Sequence, residues 1–146
     1  MPIHGCNAEA KISPDVDVFK PPNEERIKVN ITSQLMALPG VMAAGEYSYR
    51  GDRYSYEGQM DSEMARMASV MCRATSLGVQ MECNILGSVC GDCGLTPGKG
   101  WVVRGAHYTV CVLSNVFCFI DNDNGSLNDT LHLMLDQVSS DSDALV

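Results

Sequence analysis

Between Asp61 and Ser88, the residues Met64, Met67, Met71, Ala74, Gly78, Met81, Ile85 and Ser88 recur at alternating steps of three and four. That spacing holds one narrow apolar stripe on a helix for nearly four heptads, and it predicts a helix over about 61–88. Asp61 stands where a capping side chain is needed, and Glu63 falls in the first turn, where the helix dipole favours an anion. Gly78 and Gly87 weaken such a helix by roughly 1 kcal/mol each relative to alanine, so a break near one of them is allowed. Small residues on the stripe also let a second backbone come close. A stripe this long exceeds what one sheet face needs: either a second copy shares it, or its methionines pack as adaptable filler on their own sheet.

The flanking sequence supplies the rest of a fold. From about Arg26 to Leu38, Ile27, Ile31, Leu35 and Leu38 recur at helical spacing, and Pro39-Gly40 ends the run. The segments "VMAAGEYSY" and "DRYSYEG", joined by Arg50-Gly51, read as a β-hairpin. A two-residue loop sets Tyr47 opposite Tyr54. Beyond the long helix, strands are expected at about 99–104, 106–113 and 116–120, with a tight turn at Ser114-Asn115. The last two strands are apolar on both faces, so both sides of the sheet must be covered. Ser126 then caps a final helix, with Asp129 three positions on, and Leu127, Leu131, Met134, Leu135 and Val138 form its buried face. The order αββαβββα predicts an α+β fold. A five-stranded antiparallel sheet carries the long central helix on one face and the two terminal helices on the other.

Three segments follow from this pattern. Residues 1–25 hold Pro2, Pro14, Pro21 and Pro22 without a sustained apolar period; they read as an N-terminal arm, disordered or laid across a neighbour. Residues 26–138 form the domain, and 139–146 an acidic tail. A chain of 146 residues with 45% hydrophobic content suits one globular domain. A net charge of −8 makes nucleic acid and anionic membranes poor partners. No run approaches a membrane span, and "MPIHGCNAEAKISPD" has no signal-peptide core. The chain therefore reads as cytoplasmic, with its seven cysteines reduced and its sequons at Asn30 and Asn128 idle.

With "LMALPGVMAAGEYS" opening the domain and "TPGKGWVVRGAHYTVCVLSNVFCFIDND" closing its sheet, the chain resembles the roadblock (dynein light chain) family, in its small uncharacterised prokaryotic branch. The Leu38-Pro39-Gly40-Val41 step is the sharpest local feature, and "DSEMARMASVMCRA" also fits. The resemblance covers roughly residues 26–138 and implies a homodimer. Third strands would pair edge to edge, and long helices would pack on each other. Here that assigns Met64, Met67, Met71, Ala74, Gly78, Met81, Ile85, Trp101 and Val103 to the interface, with Trp101 as an anchor. It further implies a non-enzymatic regulatory scaffold for partner proteins, with small GTPases among the partner classes. The N-terminal arm and the cysteine content depart from the family pattern, so no partner-binding residue is carried over.

The other signals are weaker. Cys90 and Cys93 form a lone C-x-x-C at the end of the long helix, where the dipole and Asp92 both disfavour a thiolate. The alternatives are an incidental pair, a redox or sulfur-transfer accessory, or a metal site completed by Cys83, Cys6, His107 or a second copy of the pair. Cys111 and Cys118 fall opposite each other as small buried hydrophobes, and Cys72 belongs in the core. "GLTPGKG" lacks the spacing of a phosphate loop, and "DNDNGS" lacks that of a calcium loop. His107 reads as a structural strand residue, and no serine or carboxylate pair has a catalytic setting. No cofactor is expected, and no enzyme activity.

Overall fold

The structure, a computed structural model, describes residues 30–142, with side chains to Gln137. The expectations for residues 1–29, for the Val138 side chain and for the tail from residue 143 lie outside the described residues. Helix α1 (Ile31–Met36) is capped by Asn30, whose side chain accepts from the Thr32 amide. Strands β1 (Val41–Tyr47) and β2 (Tyr54–Gly58) pair antiparallel, with Tyr47 opposite Tyr54 as the turn position required. Helix α2 (Ser62–Cys90) follows, then β3 (Gly100–Arg104), β4 (Tyr108–Leu113), β5 (Val116–Asp121) and α3 (Leu127–Ser142). His107 therefore falls just before β4 rather than on it.

Local chemistry explains the boundaries. Asp61 accepts from the Met64 amide at 2.7 Å, which satisfies one orphan donor of α2. The helix then runs unbroken through Gly78 and Gly87. Ser126 caps α3 by accepting from the Asp129 amide. The run from Asp121 to Gly125 is closed by hydrogen bonds: Asp121 accepts from the Asp123 amide and from Asn124 Nδ2. Those bonds hold the Asp121 carboxyl below the usual carboxylate range.

The strands form a single antiparallel sheet in the order β2-β1-β5-β4-β3. Alternation along the strands divides the core in two. Leu35 of α1 and Met134 of α3 pack with Ala44, Cys111, Leu113, Val116, Cys118 and Ile120 on one face. Cys72 of α2 packs with Tyr47, Val112 and Phe117 on the other. This is the α+β layering expected, with α2 the one described helix on its face. Gly45 lets Phe117 cross β1 closely, since a Cβ there would lie 2.3 Å from the Phe117 ring. β3 stands at the sheet edge, bonded on one side to β4.

Candidate functional site

Helix α2 buries a side made of small residues, Cys72 among them as expected. Ala65, Ser69 and Cys72 are buried against the sheet, and Ser76 lies between Tyr47 and Trp101, bonded to both side chains. These positions step by three and four along one face. Their side chains are small, so the helix approaches the strands closely. The heptad stripe lies on the opposite side and is open: Met64, Met67, Met71, Met81 and Ile85 are each more than half exposed. Ala74 and Gly78 complete the open stripe, and a Cβ added at Gly78 would meet nothing. Sequence reasoning missed the neighbours that widen this surface, Val70, Leu77, Leu86 and Val89, all at least half exposed. Their positions just beside the stripe were the signal. Scattered exposed apolar residues are ordinary, but a continuous band along a 29-residue helix marks an interaction surface.

The edge strand is exposed as well, with Val103 on the α2 side of the sheet and Val102 on the α3 side. Val102 and Val103 are exposed on β3. Trp101 is only partly so: its indole N–H donates to Ser76 Oγ at 2.9 Å and its ring packs beside Val112 and Phe117. Its side chain thus already has a partner within its own subunit. Tyr47 binds the same serine and donates to the Ser114 carbonyl; burial pushes its hydroxyl above the ordinary range, so it stays protonated.

The cysteines separate into three environments. Cys90 and Cys93 are joined as a disulfide across the end of α2, with Cα atoms 5.6 Å apart. A helix end followed by Gly91 at φ 63° brings the two side chains together. Cys111 and Cys118 sit opposite each other in the β4–β5 register, fully buried. The hydrogen bond to Cys111 and burial hold the Cys118 thiol protonated. Burial likewise pushes Cys72 up to about 11. Cys83 stays a free thiol; its carbonyl accepts from Thr96 Oγ1, which ties the loop after α2 back to the helix. Among the described residues no three His, Cys, Asp or Glu side chains converge to hold a metal. Nor is any helix there long and apolar enough to cross a membrane.

The model of a family described as an uncharacterized conserved protein, DUF2173, matches residues 31–136. No curated protein matches the chain. Among solved structures, a Roadblock/LC7 domain from Streptomyces avermitilis superposes with a TM-score of 0.58 at 18% identity. The match covers 79% of this chain and 94% of that one. At that identity the likeness establishes the fold, which is the roadblock fold.

Proposed function

We propose that this chain, which belongs to the DUF2173 family, acts as a non-catalytic homodimeric scaffold that regulates partner proteins. The observation that carries the reading is the open apolar stripe of α2, Met64 to Ile85, on the side turned away from its own sheet. Among the described residues β3 is an edge strand, which supports it, because an unpaired strand edge is a template for another strand. Two copies joined at β3 would share one sheet and lay their α2 helices together. Met64, Met67, Met71, Ala74, Gly78, Met81, Ile85, Trp101 and Val103 are the interface residues of this reading, with Trp101 bracing the strand from within. A small GTPase as the partner class rests on the resemblance to roadblock proteins, and cytoplasmic placement is the expectation read from the sequence. Sedimentation equilibrium of the purified chain at micromolar concentration tests the dimer. A mass near twice 15.8 kDa is expected, and a clean monomer removes the platform.

The Cys90–Cys93 disulfide favours a second reading, a thiol-based redox or sulfur-transfer accessory. An incoming thiolate would attack one exposed sulfur and release the other cysteine as the leaving thiolate. Peptide mapping after iodoacetamide treatment at pH 8 separates the cases. Cys90 and Cys93 should resist labelling until a dithiol reduces them, then label fast. Cys72 should stay unlabelled in the native protein, since a thiol near 11 is ionised in only about one molecule per thousand at that pH. Cys90 and Cys93 that stay unlabelled even after the dithiol is added would end the redox reading.

A further inference from the structure

A cleft of about 280 Å³ opens between the β1–β2 turn and the first half of α2. It lies on the flank of the helix, between the sheet-packed side and the open apolar stripe. Its charge runs against that of the molecule. The whole chain carries −8, yet Arg53, Arg66 and Arg73 line this one cleft against the single carboxylate of Asp52. Arg66 and Arg73 are seven residues apart, two turns on the same helix face, and Arg53 reaches in from the hairpin.

The cations differ in how they are held. Arg73 Nε donates to the Tyr49 carbonyl at 3.0 Å, and the guanidinium lies under Gly51, whose φ of 77° lets the turn fold over it. That bond fixes the side chain and takes Nε alone, leaving the terminal amines for a ligand. Arg66 is forked onto Glu63 through Nε and Nη2, so its charge is partly offset. Asp52 is engaged by Ser48, which holds its carboxyl low and ionised. Counting both carboxylates, three positive groups face two negative ones. Tyr54 and Val70 supply apolar walls.

We propose that this cleft binds a small ligand bearing a phosphate or carboxylate group, held by Arg53 and Arg73, with its body against Tyr54 and Val70. Planar guanidinium forks match both anions, and a concave site of this size admits only a compact molecule. The proposal does not depend on the dimer and assigns the cleft a role beyond scaffolding.

Isothermal titration calorimetry with inorganic pyrophosphate and with citrate tests it on the full chain. Saturable binding of at least one probe is expected; pyrophosphate alone assigns a phosphoryl ligand, citrate alone a carboxylate. Arg73→Gln should weaken binding by about tenfold or more, the usual size of a lost bond to a charged group. Arg53→Gln, which changes an exposed side chain on the turn, should do the same without disturbing the helix. Arg104→Gln removes an equal charge from the far edge strand and should leave binding unchanged. The proposal is overturned if neither probe saturates at millimolar concentration, or if Arg104→Gln weakens binding as much as the cleft variants do.

Discussion

Gly40→Ala should melt about 4–20 °C below the wild-type chain. Gly40 is the pivot between α1 and β1, at φ 75°, a region where a side-chain-bearing residue costs roughly 1–2 kcal/mol. A Cβ there would also lie 2.2 Å from the Gly125 amide nitrogen and 2.4 Å from the carbonyl carbon of Asn124. Both neighbours are backbone, so no side chain can swing aside. They belong to the turn from β5 into α3, which is itself closed by the Gly125 amide on the Asp121 carbonyl. Gly40 in turn accepts from the Asp121 amide at 2.8 Å. Relieving the clash would pull β1 from β5 in the middle of the sheet, or open the cap region of α3. Overpacking of this kind adds roughly 1–3 kcal/mol. Together the two terms give about 2–5 kcal/mol, and each kcal/mol lowers the midpoint by about 2–4 °C in a domain near this size. Thermal unfolding followed by circular dichroism checks the value. Gly78→Ala is the contrast: its Cβ would enter open space within a helix, so monomer stability should hold or rise slightly. A Gly40→Ala variant melting within a few degrees of wild type would mean that this corner is packed otherwise.

The same corner shows why much of the fold could be read from sequence. Leu38-Pro39-Gly40-Val41 carries a stop signal and a left-handed residue in adjacent positions, both local properties of the chain. Asp61, Ser126 and the Tyr47–Tyr54 register were legible for the same reason, because capping and hairpin pairing act over a few residues. The face by which α2 meets its sheet was not legible. Hydrophobic periodicity finds the most apolar stripe, and here that stripe is the outer one. The buried line of Ala65, Ser69, Cys72 and Ser76 is small and partly polar, since close helix–sheet approach selects size over hydrophobicity. The bond between Ser76 and the Trp101 indole was illegible for a related reason: the two meet only because β3 and α2 are layered. The arginine cleft was invisible for a plainer reason: residues 53, 66 and 73 form no motif, and only the fold brings them together.

The outward stripe is where the scaffold reading meets its hardest test. Met71→Glu should convert a dimer into a monomer while leaving the fold of each subunit intact. Met71 is 63% exposed in the isolated chain, so its replacement alters little inside one subunit, within about 0.5 kcal/mol. Across a two-fold interface the same change acts twice, once from each copy. Each copy forfeits the burial of a methionine, about 1.5–3 kcal/mol, and must also strip water from a carboxylate with no cation opposite it. Along the stripe no lysine or arginine stands ready: Met64, Met67, Ala74, Gly78, Met81 and Ile85 are all uncharged. The dimer dissociation constant should therefore rise by at least about a hundredfold, since 1.4 kcal/mol is a factor of ten. Sedimentation equilibrium reads the constant and circular dichroism the melting curve, and the two must part company. A variant that melts below wild type even at concentrations where both are monomeric would show Met71 working inside its own subunit. One that stays dimeric at wild-type strength would show that α2 meets solvent rather than its twin, leaving the edge of β3 without the helix contact on which the shared sheet depends.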